Sequence, residues 1–168
     1  DRYNVLPLDA SVAARIVAPR PNITADRSEF VYTTPMVGLP QGDSPLLLNT
    51  SYTVTAEIEV PATGGDGMIL TSGGRFGGYG FYILNGKPVW LWNLVDLERL
   101  KWEGTEALTP GKHTIEFDFV YDGLGAGTLA FNDFSGVGRP GTGTLKVDGQ
   151  VVDTKPMPKT LSLIHISE

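Results

Sequence analysis

Residues 50–60 read TSYTVTAEIEV. Tyr52, Val54, Ala56, Ile58 and Val60 fall on one side of this stretch, and Thr53, Thr55, Glu57 and Glu59 on the other. A period of two sends successive side chains to opposite faces, so the stretch is a strand with one dry face and one wet face. The period returns in Lys112–Tyr121 (KHTIEFDFVY), where Ile115, Phe117 and Phe119 share a face with His113. Between them, Gly78–Leu84 (GYGFYIL) and Pro88–Leu94 (PVWLWNL) flank Asn85-Gly86. Asn-Gly between apolar runs predicts a type I′ hairpin, because both central residues need positive φ. Gly143–Val147 and Gln150–Asp153 flank Asp148-Gly149 in the same way.

Working outward, Phe30–Thr34 and Arg99–Glu103 read as further short strands, and Met68-Ile69-Leu70 as a buried run between glycines. The total is roughly nine strands with no long 3.6-residue period, which predicts an all-β antiparallel sandwich or barrel, the uneven spacing and varied loops favouring the sandwich. Residues 122–144 carry seven glycines and little periodicity, and read as a loop or a two-stranded insertion. Residues 1–29 read as a linker or arm. In it, Ala10–Val17 could form one short helix capped by Asp9 and stopped by Pro19 and Pro21. Residues 30–168 are then the sandwich domain.

Composition narrows the function classes. The chain has 168 residues, 41% hydrophobic, enough for one domain with a core that needs no staple. Its 21 glycines and 12 prolines speak for turns rather than helices. A formal net charge of −6 disfavours nucleic acid and anionic membrane surfaces. The sequence has no Cys, which rules out disulfides, thiolate metal sites and a cysteine nucleophile. No run of 18 apolar residues spans a bilayer, and no signal-peptide pattern opens the chain.

Candidate chemistry is sparse. His113 and His165 sit in no spaced metal motif. Thr71-Ser72-Gly73-Gly74 lacks the strand-turn-helix setting of a nucleophile elbow. Gly73–Gly80 (GGRFGGYG) imitates a phosphate loop, but a β segment follows where a helix would be needed. Its glycines read as a sharp turn and a close backbone approach, with Arg75 and Tyr79 as candidates for a ligand or domain interface. Trp90 and Trp92 share one strand face. They are core, or, if exposed, a platform for glycan. Asp122 and Asp133, with Asn132 and Asp148, are turn residues of the kind that can hold calcium in sandwiches. Asp96, Glu98, Glu103 and Glu106 are not paired by spacing for acid–base work. Asn22-Ile23-Thr24 and Asn49-Thr50-Ser51 match the glycosylation sequon.

Four segments together resemble the C-terminal part of bacterial arylsulfatases, over about residues 1–160: Asp1–Asp9 (DRYNVLPLD), Gly73–Tyr82 (GGRFGGYGFY), Gly86–Arg99 (GKPVWLWNLVDLER) and Pro110–Asp122 (PGKHTIEFDFVYD). The resemblance implies a jelly-roll or concanavalin-like sandwich that packs on a catalytic sulfatase domain. In such enzymes that domain carries a C-x-P-S-R motif, matured to formylglycine beside a bound calcium. No catalytic residue carries over, since the chain has no Cys. On this reading Asp1 lies just downstream of an absent catalytic domain, and the chain is a non-catalytic fragment without a cofactor of its own. Asn132–Gly143 departs from the family as an extra loop, and Leu161–Glu168 (LSLIHISE) departs as a truncated or non-native end. A carbohydrate-binding module of concanavalin type is the alternative.

Overall fold

A computed structural model describes residues 27–40, 43–45, 47, 48, 50–123 and 137–161. The chain divides between Leu46 and Leu47 into two units. In the first, residues 27–40 form no regular strand, so the strand expected at Phe30–Thr34 is absent. Val31 and Tyr32 lie open to solvent there, and Phe30 meets the Arg27 guanidinium 4.8 Å above its ring. The stretch has strand-forming residues, but among the described residues no strand pairs with it. The helix expected at Ala10–Val17 lies outside the described residues.

The second unit holds two four-stranded antiparallel sheets, and the expected sandwich class stands. Ten strands are described: β1 Tyr52–Val60, β2 Gly67–Gly74, β3 Gly77–Leu84, β4 Lys87–Leu94, β5 Glu98–Glu103, β6 Gly111–Tyr121, β7 Val137–Gly138, β8 Gly141–Val147, β9 Gln150–Met157 and β10 Thr160–Leu161. One sheet runs β1-β6-β8-β9 and the other β2-β3-β4-β5, while β7 and β10 form a small separate pair. Both expected hairpins form. Asn85 and Gly86 have φ of 52° and 73°, and Asp148 and Gly149 have 50° and 80°. Met68-Ile69-Leu70 departs from expectation. Met68 is 60% exposed, because the register with β3 slips between Met68 and Leu70 and turns Met68 to the outer face.

The core forms where the two dry faces meet. Trp90 of β4 stacks on Phe117 of β6 with centroids 4.2 Å apart and planes at 8°, and Tyr79 of β3 stacks on Trp90 at 5.2 Å and 11°. These three rings tie one sheet to the other. Trp102 of β5 meets Phe117 edge-on at 5.1 Å, and its indole N–H donates to the Gly143 carbonyl of β8 at 2.9 Å. Burial and the nearby Tyr79 hold the Tyr52 hydroxyl far above the usual tyrosine range, so it stays neutral. The Trp90 and Trp92 N–H groups are buried without an acceptor. Such a group costs about 1–3 kcal/mol, so ring packing must outweigh it here.

One side of the sandwich is closed by side chains rather than by backbone pairing. Asp153 of β9 accepts from the Glu103 backbone N–H at 3.0 Å, and Lys155 donates to the Lys101 carbonyl at 2.8 Å. Asp153 and Lys155 are themselves paired at 2.7 Å. Two polar backbone groups on the edge of β5 are thus capped, which blunts it against pairing with another chain.

Candidate functional site

Two neighbouring turns shape one end of the β2–β5 sheet. The β2–β3 hairpin turns at Arg75-Phe76 and the β4–β5 hairpin at Val95-Asp96-Leu97. Asn93, buried near the end of β4, joins them. Its amide donates to the carbonyls of Gly74 and Arg75 at 2.8 and 2.9 Å, and its side-chain oxygen accepts from the Asp96 N–H at 3.1 Å. This bracket holds Val95 and Asp96 at φ of 45° and 60°, a region that a β-branched residue such as Val95 rarely enters. Removing the amide as Asn93→Ala strips three hydrogen bonds and is expected to cost about 2–3 kcal/mol. Chemical unfolding of the variant measures this; a loss below about 0.5 kcal/mol would mean that the bracket does not hold the turns.

Asp96 faces two guanidinium groups. Arg75 donates from Nε to Asp96 Oδ2 at 3.3 Å, and Arg99 pairs with Asp96 Oδ1. The candidate Arg75 is therefore an exposed turn residue with a carboxylate partner of its own sheet. Tyr79, the companion candidate, points the other way, into the stack on Trp90. Trp90 and Trp92 are buried in the core and offer no platform to solvent. Asp122 is exposed beside the end of β6. Asp133, His165, the Asn22 sequon, Asn49 of the second sequon and residues 162–168 lie outside the described residues. Among the described residues no three His, Asp or Glu side chains gather as a metal ion would require.

Beyond the turns, the outer face of the same sheet forms an open groove of about 270 Å³. Gly78 and Gly80 have no side chains to raise its floor, and Met68, Tyr82 and Leu91 line it. Tyr82 ring carbons lie 3.5 and 3.6 Å from where a Gly80 β-carbon would stand, so the ring packs beside this glycine at ordinary contact distance. The groove ends at Arg75 and Arg99. The opposite sheet is different outside: Thr53, Asp118 and Thr144 form one polar row across it, beside Lys146 paired with Glu116 and Asp118 at 2.6 and 2.9 Å.

A second cleft, of about 250 Å³, is lined by Thr105–Thr109, His113 and Val152. It holds an arrangement that resembles a hydroxyl–imidazole–carboxylate relay. His113 Nδ1 lies 2.7 Å from Asp148 Oδ2, and its Nε2 lies 3.4 Å from the Thr109 hydroxyl. The relay does not operate as drawn, because Nε2 sits closer, at 2.8 Å, to the Thr109 carbonyl oxygen. Both ring nitrogens face acceptors, so the imidazolium is favoured and the ring is a poor base for the hydroxyl. The Asp148 carboxylate and the Thr109 carbonyl raise the His113 pKa above its ordinary value. The Thr114 N–H, donating at 2.8 Å, and then His113 lower that of Asp148.

The pH dependence follows from these signs. The His113 contribution is complete below the unfolded value near roughly pH 6.5 and is lost as pH rises through the higher folded value. The Asp148 contribution is complete above roughly pH 4 and is lost as pH falls through the lower folded value. Wild-type thermal midpoints are expected to decline above about pH 6.5, and His113→Gln is expected to flatten that decline. Equal slopes in the two proteins over this range would show that His113 carries no linkage.

The relay-like set and the Asn93 bracket were both missed from sequence. Each needs the strand register, which sets Thr114 near Asp148 and Gly74 near Asn93, residues 34 and 19 apart in the chain. The chain matches no protein-family model, no curated protein and no solved structure.

Proposed function

We propose that this chain is a non-catalytic β-sandwich domain of an arylsulfatase-like sulfuric ester hydrolase, packing on the catalytic domain of its parent. One observation carries the reading. Gly73–Tyr82 and Gly86–Arg99, two of the segments that resemble the sulfatase C-terminal part, are neighbours in one sheet and meet in the Asn93 bracket. The bracket presents Phe76 and Leu97, 80% and 86% exposed, on adjacent turns. Large apolar side chains held out on braced turns suit burial against another domain. The finer fold follows the same reading: β2 to β5 form a meander within one sheet, which favours a concanavalin-like sandwich over a jelly roll with its paired Greek keys. Two experiments test it. The purified chain is expected to leave p-nitrophenyl sulfate unhydrolysed with or without calcium. Its parent's catalytic half, expressed separately, is expected to co-elute with it, and Phe76→Ser with Leu97→Ser to end that co-elution. Turnover by the isolated chain, or separate elution of the wild-type halves, would overturn the reading.

A second reading, a carbohydrate-binding module, is favoured by the groove. An open groove in which the partly buried Tyr82 ring packs beside the buried Gly80 offers a sugar ring an aromatic surface unobstructed by neighbouring side chains on β3.

A further inference from the structure

We propose that the outer groove of the β2–β5 sheet binds an anionic saccharide, its ring against Tyr82 over the glycine floor and its sulfate or carboxylate at Arg99 and Arg75. The proposal rests on the second of the two readings above and assigns it a site and a ligand class.

The floor argues for a flat ligand. Gly78 and Gly80 alternate on the outer face of β3, opposite Asn93 and Leu91 of β4 respectively. Asn93 spends its amide on the turn bracket, so the strip beside Tyr82 is low and only weakly polar. A peptide gains no ladder here, because β3 is hydrogen-bonded to β2 on one side and to β4 on the other. A ring that stacks on an aromatic face needs no ladder.

The end of the groove argues for a negative charge. Arg75 and Arg99 stand against one carboxylate, Asp96, so the cluster keeps an excess of one positive charge in a chain of net charge −6. Their side chains are 75% and 57% exposed, and Asp96 engages one nitrogen of each, Nε of Arg75 and Nη2 of Arg99. A guanidinium anchored through one nitrogen is partly pre-oriented and can present its remaining N–H groups to a sulfate or carboxylate. A long polyanion would meet the acidic remainder of the surface, whereas one or two charged sugar residues fit the local excess.

Nuclear magnetic resonance titration of the ¹⁵N-labelled chain tests this. The probes are N-acetylglucosamine 6-sulfate, N-acetylglucosamine and inorganic sulfate. The sulfated sugar is expected to give saturable shifts clustered at Gly78, Gly80, Tyr82 and Leu91, with a Kd in the millimolar range or below. Each of the other two probes is expected to bind about tenfold more weakly, since each lacks one half of the contact. Tyr82→Ala is expected to weaken binding about fivefold or more, and Arg99→Gln about threefold. Both side chains sit on the solvent side of the sheet, and an unchanged unfolding midpoint for Arg99→Gln keeps the test valid if Tyr82→Ala folds poorly. Equal binding of inorganic sulfate would overturn the saccharide, and equal binding of the neutral sugar would overturn the anion. Saturable shifts confined to other residues would overturn the site and leave the binding-module reading standing. No saturable shift with either sugar would overturn both.

Discussion

Phe117→Ala is expected to destabilise the chain by about 3–5 kcal/mol. Phe117 is fully buried and is the ring on which both sheets converge: Trp90 stacks on it, Trp102 meets it edge-on and Tyr52 leans on it at 6.3 Å. Truncation removes the ring's own transfer energy and leaves a cavity between the two sheets. The surrounding rings are held from other directions and cannot collapse into it. Trp102, for instance, is tied to the Gly143 carbonyl. The loss is a large share of the roughly 5–15 kcal/mol that a domain has in total. Phe117→Leu keeps part of the volume and is expected to cost about half as much. Urea unfolding of both variants measures the difference. A cost below about 1.5 kcal/mol for Phe117→Ala would mean that the three-ring stack is not what joins the sheets.

Gly78→Ala is the second large effect, expected at about 3 kcal/mol or more. Gly78 has φ of +138°, and a β-carbon there would collide with the Ser72 carbonyl oxygen and stand 2.9 Å from the Gly73 α-carbon. Backbone cannot yield as a flexible side chain does, so the hairpin carrying Arg75 and Phe76 must open. Gly80, two residues on in the same strand, is the control. Its added β-carbon would meet only the Tyr82 ring at 3.5 Å, an ordinary contact, and Gly80→Ala is expected to change stability by less than about 1 kcal/mol. Thermal unfolding of the pair measures the contrast. Equal losses would show that glycine is needed along this strand for some reason other than the Gly73–Gly78 approach.

Much of the fold was legible because a two-residue period is a local signal. Tyr52–Val60 and Lys112–Tyr121 alternate in the residues themselves and pair with each other as β1 and β6. Asn85-Gly86 and Asp148-Gly149 announce their turns by chemistry alone. The β4–β5 turn was not legible, because Val95 carries no turn signal and takes its positive φ from the Asn93 bracket, a contact fixed by tertiary structure. Phe30–Thr34 failed in the opposite sense, a strand-like stretch with no partner strand among the described residues. The candidate site divided likewise. The glycine run marked the β2–β3 hairpin, since conformational freedom is a property of the residue. It could not separate Arg75, which faces solvent, from Tyr79, which faces the core, because Arg75 sits in the turn itself and a parity count does not survive a turn. Tyr82 and Arg99 drew no notice, because only the strand pairing brings them to one groove.

The proposal that this sandwich belongs to a sulfuric ester hydrolase is tested most directly by reading the coding sequence that precedes the Asp1 codon in its genome. The expected result is an in-frame C-x-P-S-R motif within an α/β domain a few hundred residues upstream. A stop codon in that frame, or an upstream domain of another class, would contradict it.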